Sequence, residues 1–181
     1  MGLRGPGAKP VAKRQQDKAA RSTKRPYWKR KGLSRAERVI HFVQSLPITS
    51  GVHAGRRMKL RPWQRDIVEA LYATDDTGKR FVRTGLITLP RKNGKTQISA
   101  ALALAPLAGP EVESRGQIYS AAADKEQAAI LFREMKAIIE AVPELEDRII
   151  VRDFLKELED SESGTIYRAL SSDAKTKHGQ S

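Results

Sequence analysis

The spacing of apolar residues along the chain predicts four helices. The clearest runs from Lys125 to Ala141, because apolar side chains occupy one of its faces and charged side chains the other. A shorter helix is predicted over residues 35–45, after a Ser34 that stands three positions before a glutamate, as in a capping box. Pro62 suits the first turn of another helix, since its missing N–H would be unpaired there in any case. The fourth helix is predicted to begin near Thr96 and to end before a Gly-Pro pair.

Extended segments alternate with these helices. Residues 81–89 are rich in Leu, Ile, Val and Thr, which favours a buried strand, and residues 117–121 and 148–151 are shorter strand candidates. Residues 154–158 and 165–170, with a polar turn between them, predict a hairpin. The order strand, helix, strand, helix, strand indicates right-handed crossovers and a parallel sheet that binds its ligand at the carboxyl edge.

The turn between the strand at residues 81–89 and the following helix ends in Gly94-Lys95-Thr96. A helix start binds anions, because its first N–H groups have no partner and its dipole is positive there. In a P-loop, backbone N–H groups hold the phosphates, the lysine reaches the β- and γ-phosphates, and the hydroxyl binds Mg²⁺. The sequence therefore predicts an α/β fold with a P-loop NTPase-type parallel sheet and flanking helices.

The motif departs from the standard P-loop. The octet LPRKNGKT lacks the first glycine, and a bare GK[ST] arises by chance in roughly one chain of this length in ten. The alternative is an ordinary strand-turn-helix connection in which Lys95 is merely solvated.

Gln64 follows Trp63 in the first turn of the helix that begins at Pro62, shortly before the P-loop strand. Its carboxamide could offer the adenine edge both a donor and an acceptor. Trp63 could equally be an ordinary core residue.

Composition and charge add a basic arm to this picture. The chain has 181 residues, enough for one domain with a core, and no cysteine. Its longest apolar run, residues 100–105, is too short to span a bilayer, and no signal peptide is predicted.

The net charge is +13, and residues 1–39, with thirteen Lys and Arg against two acids, supply +11 of it. Residues 1–32 are interpreted as a flexible arm that contacts a polyanion such as nucleic acid, with a solubilising tail or docking on a sister subunit as alternatives.

Several stretches resemble the amino-terminal part of tailed-phage large terminases, the motors that package DNA into proheads, and most closely the HK97-like group. They are RGPGAKP, LRPWQ, LPRKNGKTQISAALAL as a deviant Walker A, YSAAADKEQAAILF and LSSDAKTKHG. Together these stretches span most of the chain, and PRKNGKT is the most specific of them.

The resemblance implies a set of ATP-binding residues. Gln64 would contact adenine, and Arg91 matches the terminase arginine that is proposed to sense or stabilise the γ-phosphate. Arg91 and Lys95 would be the catalytic residues, and Thr96 would be the ligand for Mg²⁺. The complete nucleotide-binding loop would comprise Pro90, Arg91, Lys92, Asn93, Gly94, Lys95, Thr96 and Gln97.

The sequence ends before the hydrophobic strand and paired acids of a Walker B motif, and the nuclease domain of the family is absent as well. Residues 33–181 are therefore expected to be an incomplete ATPase domain that does not hydrolyse ATP alone. Asp153 is a poor substitute, because Phe154 follows it where a second acid is needed.

As partners, the resemblance implies double-stranded DNA, the portal protein and the small terminase subunit, with a homo-oligomeric ring as the complete motor in the host cytoplasm and no membrane association. Two other functions remain open from the residues: a fragment of a superfamily 2 helicase, which also has a glutamine before its P-loop, and a non-enzymatic, basic nucleic-acid-binding module.

Overall fold

The structure is a computed structural model that describes residues 26–171. Most of the predicted basic arm and most of the LSSDAKTKHG stretch lie outside the described residues. The helices are α1 (Arg35–Ser45), α2 (Pro62–Tyr72), α3 (Lys95–Ala108), α4 (Lys125–Ala141) and α5 (Pro143–Glu146), preceded by a 3-10 turn at Tyr27–Lys29.

Local sequence signals fix where these helices begin. Ser34 Oγ accepts a hydrogen bond from the Glu37 N–H at 3.2 Å, and the Glu37 carboxylate accepts one from the Ser34 N–H at 2.7 Å, which confirms the capping box. Asp124 accepts a hydrogen bond from the Gln127 N–H at 2.8 Å and starts α4 at the predicted residue. Pro62 occupies the first position of α2, as predicted.

The sheet is mixed rather than wholly parallel. It contains β1 (Gln117–Ala122), β2 (Ile149–Arg152), β3 (Glu157–Asp160) and β4 (Ile166–Ser171) in the order β1-β4-β3-β2. The β1–β4 pair is parallel, whereas β3 runs antiparallel to both β4 and β2. Residues 153–156 alone connect β2 to β3, and a connection this short joins only antiparallel strands. The α/β class and the hairpin are thus confirmed. Strand β2 runs in the same direction as β1 and β4, as predicted for residues 148–151, but it pairs only with β3, the strand that runs in the opposite direction.

The prediction of a strand at residues 81–89 is wrong. The segment contains no strand and bends at Phe81 and Arg83, no N–H of residues 82–89 donates a backbone hydrogen bond to any described residue, and Leu86 is 95% exposed. It runs alongside α2 instead: a Cβ on Gly85 would lie 2.8 Å from the Leu71 side chain. Residue types that favour a strand are not sufficient to form one, because a strand also needs a neighbouring backbone with which to pair.

The core lies between the helices and one face of the sheet. Helix α1 packs on α2 and α3, α3 packs on α4, and α4 covers β1 and β4. The fully buried side chains at its centre include Val39, Ile40, Val43, Leu104, Leu107, Phe132, Met135, Ile138 and Tyr167. The opposite face of the sheet is open, with Tyr119 and Leu170 exposed. Within residues 26–171, no helix combines the length and the apolar character needed to cross a bilayer.

The described end of the basic arm lies on α1. The Tyr27 ring contacts His41 edge-on at 4.3 Å between centroids, and the Trp28 ring contacts Phe42 at 5.5 Å. These two aromatic residues therefore cover the surface of the helix. Nucleic-acid contact by the arm stays a prediction.

Asp160 is a fully buried carboxylate at the end of β3. The Arg148 guanidinium donates to it, with Nη2 2.7 Å from Oδ2, and the Ser163 N–H donates at 3.1 Å. Burial alone would raise the pKa of Asp160, but the hydrogen bonds from Arg148 and Ser163 outweigh it and hold the pKa below its ordinary value. The pair ties the start of β2 to the turn between β3 and β4.

We predict rapid amide exchange across residues 82–89. Their N–H groups have no backbone partner within the described residues, whereas β4 is paired on both sides. Hydrogen–deuterium exchange followed by mass spectrometry should show rates at least about 100-fold faster in residues 82–89 than in β4. Similar protection of the two segments would mean that residues 82–89 are paired in solution.

The Asp160→Asn substitution is expected to lower the free energy of unfolding at pH 7 by about 2–4 kcal/mol, because it leaves the Arg148 guanidinium without its buried counter-charge. The folded-state pKa of Asp160 is depressed. The contribution of the pair is therefore complete above the ordinary aspartate pKa of about 3.9 and is lost as the pH falls through the folded-state value. In urea unfolding, the difference between parent and variant should shrink below about pH 4.

Asp153→Asn is the matched control, because it removes an exposed carboxylate that pairs with Lys136. It should change the unfolding free energy little at either pH. The role of the buried pair would be contradicted if both variants lost the same free energy of unfolding, or if the difference between the parent and Asp160→Asn did not change with pH.

Candidate functional site

The loop from Pro90 to Gly94 turns through two left-handed residues. Lys92 has φ +67° and Gly94 has φ +70°, and a Cβ added at Gly94 would meet nothing within 4 Å. A left-handed lysine is uncommon, and such backbone outliers concentrate at ligand sites. At Gly94 it is therefore the backbone angle that favours glycine, since there is space for a side chain.

Helix α3 begins at Gly94 without the side-chain caps that start α1 and α4. No side chain of the described residues accepts a hydrogen bond at this helix start, and Gly94 itself has none to offer. The first-turn N–H groups of a helix have no partner within the helix. The amino end of α3 is therefore left free to bind an anion.

The predicted loop residues are brought together around this helix start. Lys95 Nζ donates to the Leu89 carbonyl at 3.3 Å, and Asn93 Nδ2 donates to the Pro90 carbonyl at 3.4 Å. Arg91 and Thr96 are exposed beside them. Because the Lys95 ammonium already donates a hydrogen bond to a carbonyl oxygen of its own loop, it could donate to a phosphate oxygen bound at the same loop with little movement.

A cavity of about 730 Å³ lies between this loop and the start of α2. Lys92, Asn93, Gly94 and Gln97 line one side of it. The other side consists of residues 56–62 and Gln64, with Ile48 and His53. Its volume is within the range of about 300–1,000 Å³ that is typical of small-molecule sites.

Gln64 lies on the wall of this cavity, and α2 fixes its orientation. Its Oε1 accepts a hydrogen bond from the Arg61 N–H at 2.9 Å, so the carboxamide oxygen helps to start the helix. The amide NH₂ is thereby left as the main group that Gln64 can offer to a ligand. Trp63 instead lines a separate cavity of about 100 Å³, together with Lys95, Ile87 and Leu89.

The second wall of the cavity is formed largely by a segment for which the sequence predicts neither a helix nor a strand. We call residues 46–58 the cavity hairpin, because its two ends pair. The Ile48 N–H donates to the Arg56 carbonyl and the Met58 N–H to the Leu46 carbonyl, each at 2.8 Å. The Arg56-Arg57 pair can be read from the sequence, but its position in the same cavity as residues 92–94 depends on tertiary contacts.

The charge of the cavity suits an anionic ligand. None of the described residues that line it is Asp or Glu. Five lining residues are cationic: Arg56, Arg57, Lys59, Arg61 and Lys92. Arg91, Lys95 and Thr96 are not among the lining residues and lie around the helix start instead. In residues 26–171, no three His, Asp or Glu side chains gather as a metal-binding group.

Comparisons with known proteins agree with this geometry. The family described as "Terminase large subunit, ATPase domain" matches residues 62–181. The large terminase subunit of Enterobacteria phage HK97 is 35% identical over 150 residues, which cover 82% of this chain and 29% of that protein.

The crystal structure of the HK97 bacteriophage large terminase superposes with a TM-score of 0.70 at 36% identity, covering 82% of this chain and 30% of that one. The chain thus spans less than a third of the length of these relatives. The resemblance inferred from the sequence is confirmed, and the chain belongs to the terminase large subunit family, with residues 62–181 matching the ATPase domain.

Proposed function

We propose that this chain binds ATP as part of the ATPase domain of a phage DNA-packaging motor. The observation that carries the proposal is the uncapped start of α3, with Gly94 and Lys95, next to a nucleotide-sized cavity lined by cations. The family membership supports a packaging motor over the helicase and non-enzymatic alternatives.

In the proposed complex, the triphosphate accepts hydrogen bonds from the loop and from the first-turn N–H groups of α3. Lys95 exchanges its contact with the Leu89 carbonyl for the β- and γ-phosphates. Arg91, exposed in the same loop, holds the γ-phosphate, where a planar cation matches the charge on its oxygens.

Mg²⁺ fits this site through the exposed hydroxyl of Thr96 at the start of α3. Magnesium sites of this kind need few protein ligands, because the nucleotide supplies phosphate oxygens and water supplies the rest. When bound, Mg²⁺ would neutralise charge on the β- and γ-phosphates. Hydrolysis also needs a residue that orients the attacking water. We assign none within residues 26–171, so the proposal for this chain is nucleotide binding.

The proposal extends to the complete motor, of which this chain would be one part. We propose that the complete motor acts on double-stranded DNA, assembled as a ring with the portal protein and the small terminase subunit. Backbone phosphate contacts would grip the duplex without reading its sequence.

Lys95→Ala is expected to weaken Mg·ATP binding about 30- to 100-fold, because a charge-assisted contact to phosphate is lost. Isothermal titration calorimetry of the parent and the variant measures this difference. Lys79→Ala is the control, because it removes an equal charge from the exposed turn at residues 75–79. Equal ATP affinity of parent and Lys95→Ala would remove the basis for a P-loop.

Gln64→Glu separates the two roles of Gln64. The carboxylate can still accept the Arg61 N–H and preserve the start of α2, but it has no NH₂ to offer the base. We expect ATP affinity to fall about tenfold with an unchanged melting temperature, because a ligand hydrogen bond is lost.

Gln64→Ala removes the cap as well, so it should lower both the ATP affinity and the melting temperature. Full ATP affinity in the Gln64→Glu variant would show that Gln64 is only a structural cap. Inorganic tripolyphosphate, which has no base, should bind the Gln64→Ala variant as tightly as the parent. In Gln64→Glu the added negative charge should weaken tripolyphosphate as well, so only the additional loss for ATP reports the hydrogen bond to the base.

A further inference from the structure

The base and sugar of a nucleotide are neutral, yet the cavity wall formed by the cavity hairpin and the residues that follow it is strongly cationic. The cavity hairpin contributes Arg56 and Arg57 there, and Lys59 follows directly. More positive charge is present than recognition of a neutral nucleoside requires. The arginines therefore need an explanation besides attraction to the triphosphate.

A purine base is usually held between flat groups that cover its faces. None of the described residues that line this cavity is Phe, Tyr or Trp, and Trp63 faces the separate small cavity. The flat side chains on the cavity wall away from the P-loop are the His53 ring and the guanidinium groups of Arg56, Arg57 and Arg61. Arg61 belongs to the start of α2, so the cavity hairpin itself supplies His53, Arg56 and Arg57. Guanidinium is planar and weakly hydrated and stacks on aromatic rings, whereas the ammonium of lysine is a compact point charge.

The backbone that carries these arginines is fixed at several points. The Arg56 carbonyl accepts from the Ile48 N–H, and the Arg57 backbone lies opposite Pro47 in a β-bridge. Thr49 Oγ1 donates to Glu134 on α4 at 2.6 Å, which ties the cavity hairpin to the core helix. A preorganised wall binds a ligand with a smaller loss of entropy.

We propose that Arg56 and Arg57 form the base-binding wall of the nucleotide site, with their guanidinium groups packed on the purine and its ribose. This proposal rests on the proposed function and adds residues to the site. A concave cavity of about 730 Å³ suits a mononucleotide. A DNA duplex, about 20 Å across, cannot enter it, so nucleotide is the better occupant.

The test compares ATP with inorganic tripolyphosphate, which engages the P-loop but has no base. In the Arg56→Lys/Arg57→Lys variant the charge is kept and the planar groups are removed. We expect the Kd for ATP to rise about tenfold, while the Kd for tripolyphosphate stays within about twofold of the parent. Arg56→Ala/Arg57→Ala should weaken ATP binding at least as much, and in addition weaken tripolyphosphate binding through the lost charge.

Arg133→Lys, on the exposed side of α4, is the matched control and should change neither Kd. Circular dichroism and melting temperature establish that each variant is folded. If the lysine variant binds ATP as tightly as the parent, the arginines act only as charges and the proposal is overturned. It is also overturned if His53→Ala or Arg61→Lys, rather than the Arg56 and Arg57 variants, removes the preference for ATP over tripolyphosphate.

Two further outcomes are informative. If the arginine variants lose affinity for a DNA duplex while ATP binding is unchanged, the wall is a DNA contact and the proposal is overturned. If the parent binds neither ATP nor tripolyphosphate, or if Lys95→Ala leaves both unchanged, the proposed function fails first and the base-binding wall fails with it.

Discussion

The buried face of α3 is the constraint on which the candidate site depends. Ala100, Ala101, Leu104 and Leu107 are fully buried against neighbouring elements, so the helix cannot shift along its axis without opening the core. Burying one large aliphatic side chain contributes about 1.5–3 kcal/mol, whereas an absent helix cap costs about 1 kcal/mol. The core can therefore hold the helix in place while its amino end stays uncapped. An anion that binds there meets donors that need no rearrangement.

The two walls of the cavity are supported by different parts of the fold. The wall formed by residues 92–94 and Gln97 is carried by α3, whereas the cavity hairpin is joined to α1 through Leu46 and to α4 through the Thr49–Glu134 hydrogen bond. Gln64 belongs to a third element, α2, whose start it stabilises. A ligand that touches all of these surfaces would link α1, α2, α3 and α4.

The features that could be predicted from the sequence are those decided by residues close together in the chain. Ser34 and Asp124 mark helix starts because each accepts a hydrogen bond from an N–H three positions later. The candidate loop residues are predicted in the same way, because Gly94, Lys95 and Thr96 are consecutive in the chain and the chemistry proposed for them is local. Strand pairing is decided by distant residues, so the composition of residues 81–89 was misleading. The reversed direction of β3 follows from the sequence, since the short connection at residues 153–156 admits no parallel crossover from β2.

The cavity hairpin shows most clearly why half of the site could not be found from sequence. Arg56 and Arg57 follow Gly55 in a polar stretch, and such a pattern fits an exposed loop as well as a ligand-binding wall. Two contacts distinguish the wall from an exposed loop. The buried Met58 anchors the cavity hairpin in the core, and Glu134, 85 positions away in the chain, accepts a hydrogen bond from Thr49. Neither contact has a local signature. A run of cations becomes a binding surface only when distant parts of the chain hold it opposite a second surface, here the uncapped start of α3.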